Sequence, residues 1–270
     1  MLVNGLPSDS VSTLDRGLNY GDGVFRTLLI KRGQVRCWAR HYLKLNQDCA
    51  ALRLTCPSSA TLLGDIALLN SNSLDGVVKI VITRGIGQRG YAAQDGNVAT
   101  RIVSITSLPS FQEQYFTTGI RLHRCFLKLG HQPRLAGIKH LNRLENVLAA
   151  TECLEEGATE GLLEDTTGFV ISGTRSNLFI IRCGTLYTPD LSRCGVAGVQ
   201  RERVMDWANE QGIEFKVAQI RFEELLQADE IFMVNSVFGL WPVAEVDGYK
   251  CSEHPISWKI QEWLNNENDY

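Results

Sequence analysis

The stretch Arg134–Ala150, RLAGIKHLNRLENVLAA, decides the reading of this chain. Lys139 follows Leu135, Ala136, Gly137 and Ile138, in a chain with only eight lysines among its 27 basic residues, so its place in an apolar run needs a reason. Just beyond it, Asn142 and Glu145 make an N-x-x-E pair. Asparagine at a helix N-cap with glutamate at the third helical position satisfies backbone donors reciprocally. The spacing therefore predicts a helix that starts near Arg143 and ends near Gly157, a C′ glycine. Leu144, Val147, Leu148 and Leu154 are expected to supply its buried stripe. Lys139 falls upstream, at the end of a predicted strand. Such a lysine either snorkels to solvent or is held in a partly dry pocket, where its amine loses some of its charge and can form a Schiff base.

The bulk properties narrow the field. At 270 residues the chain is long enough for a large core and two domains. Hydrophobic residues make up 44%, charged residues 21%, and the net charge is −3, which describes a soluble globular protein. Neither a nucleic-acid footprint nor a polybasic membrane patch is present, so no nucleic-acid or membrane partner is expected. The opening MLVNGLPSDS has no basic region followed by a long apolar one, so no secretory signal is expected. The eight cysteines are scattered without a C-x-x-C pair, which fits free thiols in a reducing cytoplasm. The five histidines lack ligand spacing, and no metal site is expected.

The organisation reads as α+β in the first part and mixed α/β in the second: residues 1–107 as one domain, 108–118 as a linker, and 119–270 as the other. Asn4-Gly5 is a hairpin turn. Val24–Ile30 and Gln34–Trp38 read as strands, His41–Leu54 as an amphipathic helix with Leu43, Leu45, Ala50 and Leu54 on its apolar positions, and Val77–Thr83 and Arg101–Ser107 as strands of one sheet. Further strands are expected at Gly119–Cys125, Gly161–Glu164, Asn177–Ile181, Glu214–Ala218 and Glu230–Val234, and helices over 143–156, 198–210 and 255–265. The alternation is too irregular for a Rossmann sheet.

Three further stretches could carry chemistry. Cys194-Gly195-Val196-Ala197-Gly198 precedes a helical run, and glycines at a helix start expose N–H groups that favour an anion. Asn235-Ser236, at the end of an apolar strand, could add a hydroxyl to the same anion; a plain turn is the alternative. Thr83–Tyr91, TRGIGQRGY, offers two arginine forks and a tyrosine among glycines, suited to a carboxylate or simply to a solvated loop. Thr27 shares a strand face with Phe25 and Leu29, where its hydroxyl needs a partner, from a ligand or from a neighbouring strand. A reactive-lysine candidate, an anion cradle and an arginine-rich loop together suggest a phosphorylated aldehyde cofactor.

The stretches YGDGVF, TRGIGQRGY, LAGIKHLNRLENVL, GTRSNLF and LSRCGVAGV closely resemble the class IV, or fold type IV, pyridoxal-phosphate enzymes, in order and spacing over nearly the whole chain. The resemblance implies a two-domain fold with pyridoxal 5′-phosphate in the interdomain cleft, and a homodimer. Within the family it is strongest to the branch that eliminates pyruvate from 4-amino-4-deoxychorismate to give p-aminobenzoate for folate synthesis. It implies that Lys139 is the Schiff-base lysine and the catalytic acid/base. It also implies that Val196 and Ala197 bind the cofactor phosphate through backbone N–H groups, with Asn235 and Ser236 beside them. Thr27 would assist catalysis over the substrate, and Arg84, Arg89 and Tyr91 would reach the substrate carboxylates.

The chain departs from the family pattern at two cofactor-binding positions. Lys44 stands where relatives usually have arginine, keeping the charge but losing the fork onto phosphate. Ser172 stands where relatives usually have the glutamate that keeps the pyridine nitrogen protonated. Two other readings remain open: a D-amino-acid or branched-chain aminotransferase of the same fold, opposed by Thr27 and the RGIGQRGY loop, and a cofactor-binding protein with little catalysis, which Lys44 and Ser172 keep in view.

Overall fold

The computed structural model describes residues 1–72, 74–93, 96–251 and 253–266, so the last four residues of the second expected domain lie outside it. Two compact units emerge: Met1–Pro109 with Ile138–Asn142, and Ser110–Gly137 with the chain from Arg143 onward.

The first unit contains β1 (Leu2–Val3), β2 (Leu6–Pro7), α1 (Arg16–Tyr20), β3 (Gly23–Lys31), β4 (Gln34–Val35), α2 (Trp38–Ala51), α3 (Ser59–Leu69), β5 (Gly76–Thr83) and β6 (Thr100–Thr106). Its sheet runs in the order β2-β1-β6-β5-β3-β4. Asn4 and Gly5, both at positive φ, close the β1–β2 hairpin as the N-G pair predicts. Alternation on β3 turns Val24, Arg26, Leu28 and Ile30 inward and leaves Phe25, Thr27 and Leu29 half-buried. The inward residues meet Val78, Ile80 and Ile82 of β5 and Leu45, Cys49, Leu62 and Ile66 of α2 and α3. Each buried aliphatic side chain there stabilises the fold by about 1.5–3 kcal/mol.

Two expectations fail in this unit. The strand predicted over Gln34–Trp38 ends at Val35, because Cys37 adopts a left-handed conformation that turns the chain into α2. Trp38 then opens the helix and stacks on Tyr42 one turn along. On α2 the inward positions are His41, Leu45, Asp48 and Cys49, while Leu43 and Ala50 face out. Helix α3 is not among the predicted elements, although Ser58 caps it by accepting the Thr61 N–H.

The second unit contains α4 (Gln114–Thr117), β7 (Ile120–Leu129), α5 (Leu144–Glu155), β8 (Glu160–Asp165), β9 (Phe169–Gly173), β10 (Asn177–Arg182), β11 (Thr185–Pro189), α6 (Val199–Glu210), β12 (Phe215–Ala218), β13 (Ile220–Arg221), α7 (Phe222–Leu225), β14 (Glu230–Asn235), β15 (Gly239–Val246), β16 (Tyr249–Lys250) and α8 (Pro255–Asn266). Its mixed sheet runs β12-β11-β10-β14-β15-β7-β8-β9-β13, with β16 paired to β15. One face packs Phe179, Phe232, Val234 and Leu240 against Val204 and Trp207 of α6 and Ile260 of α8. On another core the stretch expected as an irregular linker does structural duty: Phe111, Tyr115 and Phe116 surround the ring of buried Trp241 at centroid distances of 5.0, 5.4 and 6.2 Å.

Helix α5 departs most from its predicted packing. Leu144, Val147, Leu148 and Leu154 are between 56% and 80% exposed in the single chain, and the buried residues are Ala149 and Cys153. Small side chains let the helix lie close on β7 and β8, where a Cβ on Gly161 would stand 2.5 Å from the Cys153 sulfur. The cap differs too. Arg143 is the N-cap residue and makes no side-chain cap bond. Glu145 instead accepts the Gly130 N–H at 2.8 Å, and the Asn142 amide donates to the Gly21 carbonyl at 3.1 Å. Gly157 does end the helix with positive φ.

Candidate active site

Lys139 lies in an irregular segment of the first unit, not at a strand end, and the segment is tied to β3. The Phe25 N–H donates to the Lys139 carbonyl at 2.9 Å, and the Leu141 N–H to the Gly23 carbonyl at 3.0 Å. The Lys139 N–H donates to Asp48 Oδ2 at 3.2 Å. Its amine stands 4.5 Å from the Phe25 ring centroid, within reach of a cation–π attraction. That ring lies on the same face of β3 as Thr27, whose hydroxyl makes no hydrogen bond with the described residues. Lys79, paired across from Thr27 on β5, brings its amine to 5.3 Å from the same ring. The period-two alternation that picks out Thr27 also marks Phe25, whereas Lys79 carries no signal in the sequence. Lys44 is half-buried on α2, one turn before Asp48.

The arginine loop of the first unit divides its two arginines between different tasks. Arg84 does not present an open fork: Nε and Nη2 donate to Asp22, while Nη1 and Nη2 donate to the Arg53 and Leu52 carbonyls. Asp22 also accepts from Nε of buried Arg16, whose terminal nitrogens hold the Gly90 and Tyr91 carbonyls at 2.8 and 2.7 Å. The role of Arg16, holding a loop some seventy residues away, leaves no local pattern in the sequence. Tyr20 accepts the Gly90 N–H at 3.0 Å and packs edge-on to Tyr91. Arg89 is exposed and makes no hydrogen bond or ion pair with the described residues, and Tyr91 is 89% exposed.

Burial opposes the charge on Asp22, but Arg84 and Arg16 outweigh it and hold the carboxyl below its ordinary value of 3.8. A carboxyl depressed in the folded state stabilises above its unfolded pKa, and that stabilisation is lost as pH falls through the folded one. Asp22→Asn is therefore expected to loosen residues 84–91 at neutral pH. Hydrogen bonds to charged groups are worth about 1.5–3 kcal/mol, so amide exchange in the loop should speed up roughly tenfold or more. Unchanged protection would mean that other contacts hold the loop.

The second unit builds an anion cradle. Gly195, at φ +88°, turns the chain toward α6, and Gly198 caps that helix without a side-chain bond. A Cβ on Gly198 would fall 2.3 Å from Asn177 Oδ1, so only glycine fits. The Asn177 amide clamps the turn, donating to the Val196 carbonyl at 2.8 Å and accepting the Gly198 N–H at 3.2 Å. In the sequence Asn177 marks only the start of a strand. Of the two expected backbone donors, the Ala197 N–H is engaged by the Gly137 carbonyl at 3.0 Å. The Val196 N–H makes no hydrogen bond with the described residues, and the first-turn N–H groups of α6 lie beside it.

Ser236 is half-buried in the turn after β14, and its hydroxyl makes no hydrogen bond with the described residues. Asn235 is engaged within the turn, accepting from the Val237 and Phe238 N–H groups and donating to the Arg175 carbonyl. Ser172 is buried on β9, where its hydroxyl donates to the Gly173 carbonyl at 2.9 Å. Buried Glu160 accepts from the Gly161 and Thr174 N–H groups and the Ser176 hydroxyl, holding the turn that leads to Asn177.

Comparison with known proteins gives a consistent picture. Residues 23–246 match the family model for amino-transferase class IV. An aminodeoxychorismate lyase from Vibrio harveyi is 35% identical over 260 residues, covering 96% of this chain and 94% of that protein. The crystal structure of 4-amino-4-deoxychorismate lyase from Pseudomonas aeruginosa is 39% identical, covers 100% of this chain and 99% of that one, and superimposes with a TM-score of 0.95. A D-alanine aminotransferase from Listeria monocytogenes is 25% identical over 274 residues, covering 96% of this chain and 91% of that protein.

Proposed function

The chain belongs to the class IV aminotransferase family, and from that premise we propose that it is a pyridoxal-phosphate-dependent aminodeoxychorismate lyase, which releases pyruvate and p-aminobenzoate in the supply of folate. Similarity to lyases along nearly the full chain supports the reaction. The observation that carries the reading is Lys139, held by its backbone on both sides with its amine over Phe25 on the Thr27 face of β3.

The donor set suits the cofactor. A primary amine at Lys139 can hold its aldehyde carbon. The glycine-flanked start of α6, the Val196 N–H and the Ser236 hydroxyl suit its phosphate, and the family pattern assigns Lys44 the part that arginine plays in relatives. Ser172, the residue assigned to its ring nitrogen, has a neutral hydroxyl whose proton is donated to the Gly173 carbonyl. When bound, pyridoxal phosphate withdraws the electrons left behind when the substrate loses a proton. Lys139 takes that proton from the carbon bearing the substrate's nitrogen. The C–O bond on the adjacent carbon then breaks, pyruvate leaves as its enol, and the ring becomes aromatic. Thr27, on the face that carries the Lys139 amine, is suited to orienting the reacting atoms. Arg89 and Tyr91 offer a fork and a hydroxyl to the substrate carboxylates, and Arg84 is assigned a supporting part through Asp22. The competing aminotransferase reading predicts brisk turnover of an amino donor with 2-oxoglutarate. The lyase reading predicts little of it beside rapid conversion of aminodeoxychorismate, and the reverse ratio would overturn the proposal.

A homodimer working in the cytoplasm completes the reading. The exposed leucine face of α5, with Phe126 also exposed, is the kind of apolar surface that a second copy covers. All eight cysteines are free, as a reducing compartment would keep them. Replacing Leu144 and Leu148 together by glutamate is expected to weaken dimerisation at least 100-fold, since burying a leucine contributes about 1.5–3 kcal/mol. Light scattering at micromolar concentration should then give the mass of a single chain. A pair of substitutions that leaves the dimer intact would remove α5 from the interface.

A further inference from the structure

We propose that Asp48 and Arg26 are positioning residues for Lys139: their buried ion pair fixes the lysine's backbone and so aims its amine. The proposal rests on the reading of Lys139 as the reactive lysine. Arg26 lies on the inward face of β3 between Val24 and Leu28, an unusual place for a guanidinium, and Asp48 lies on the inward face of α2. Both are at least 95% buried, and Arg26 Nη2 meets Asp48 Oδ2 at 2.5 Å. Stability does not by itself account for such a pair, because apolar residues of similar volume often serve as well or better.

What the pair adds is a second bond. The same Oδ2 accepts the Lys139 N–H at 3.2 Å, while the Lys139 carbonyl accepts the Phe25 N–H at 2.9 Å. Lys139 lies outside regular structure, so these bonds set the peptide planes on either side of it. Fixing both planes fixes the Cα–Cβ direction of a long side chain. A turn of about 20° at the backbone would carry the amine, roughly 6 Å away, by about 2 Å, and a misplacement of about 1 Å can cost roughly 100-fold in rate. Burial raises the Asp48 carboxyl above its ordinary value, and Arg26, the Lys139 N–H and Lys44 pull it back down. Arg26 thus holds the Asp48 carboxyl in place, and Asp48 holds Lys139 in place.

The test uses the full chain with and without cofactor and three variants. Asp48→Ala removes the acceptor, Asp48→Asn retains an oxygen that can accept the Lys139 N–H, and the double variant Arg26→Met with Asp48→Leu replaces the pair by packed apolar side chains. In the double variant the fold should hold, the Lys139 amide should exchange at least tenfold faster in the cofactor-free protein, and kcat should fall roughly 10- to 100-fold with KM nearly unchanged. Asp48→Asn should recover part of the kcat that Asp48→Ala loses. A folded double variant with parental kcat and parental exchange at Lys139 would overturn the proposal. So would a double variant that fails to fold, because the pair would then serve the fold and not the lysine. Activity surviving in Lys139→Ala would instead remove the premise, whatever the Asp48 variants do.

Discussion

Lys139→Ala is expected to abolish the visible absorbance of the lysine-linked cofactor and to reduce p-aminobenzoate formation by about 10⁴-fold or more. Two losses coincide in this variant. The amine that would hold the aldehyde disappears, and so does the base that takes the proton from the substrate. Lys79 approaches the same Phe25 ring, so it is the natural candidate for rescue. It is exposed, however, and lies on a regular strand, whereas Lys139 is held by Asp48 and Phe25. Lys79→Ala should therefore leave the absorbance band in place. Borohydride treatment of the parent, followed by peptide mass mapping, should locate the reduced cofactor on residue 139. An adduct on residue 79, or substantial turnover by Lys139→Ala, would contradict the assignment.

Ser172→Glu is expected to change which reaction the protein favours. A carboxylate beside the cofactor's ring nitrogen raises that nitrogen's pKa by about 1–3, because an opposite charge favours the protonated form. The parent has a hydroxyl there, already donating to the Gly173 carbonyl, and a hydroxyl balances no charge. Transamination requires the charge left by the lost proton to be stored until a proton returns at another carbon. Elimination does not, because the neighbouring ether leaves as the proton is lost and aromatisation drives the step. Half-transamination of D- or L-alanine should thus rise about tenfold or more in Ser172→Glu, one pKa unit being a factor of ten, while the lyase rate changes much less. The readout is conversion of the visible band to the pyridoxamine band. A half-reaction unchanged by the substitution, or brisk in the parent, would show that serine does not limit it.

Local pattern carried much of this architecture into view. Strands β3, β5, β6, β10 and β14 and helices α6 and α8 stand close to their predicted places because each repeats its hydrophobic period within a few residues. The errors have a common source in contacts between distant parts of the chain. Asn142 and Glu145 have the spacing of a capping box, yet Gly21 and Gly130 engage them. The leucines of α5 have the period of a buried stripe, yet Ala149 and Cys153 take the inward face, and nothing in a 3.6-residue repeat says which of two apolar faces meets the sheet. Phe111, Tyr115 and Phe116 lack a clear period because they converge on one indole.

The candidate site divides the same way. Lys139, Thr27 and the glycines before α6 are visible as residue types out of keeping with their surroundings. Their supports are not: Arg16 joins Asp22 to Gly90 and Tyr91, Asn177 clamps Val196 and Gly198, and Arg26 and Asp48 meet across a strand and a helix. Arg84 looks like a ligand in the sequence because its fork suits a carboxylate, and Asn235 because it precedes the Ser236 hydroxyl. Their bonds to Asp22 and to the turn after β14 emerge only when the chain is folded.

The most direct test of the central claim follows the products of aminodeoxychorismate, generated enzymatically and supplied in large excess over the purified protein loaded with pyridoxal phosphate. The account predicts p-aminobenzoate and pyruvate in equal amounts, formed over many turnovers without an amino acceptor and lost in Lys139→Ala. Aminodeoxychorismate left unconverted by fully loaded protein, or products that appear only when a 2-oxo acid is added, would contradict it.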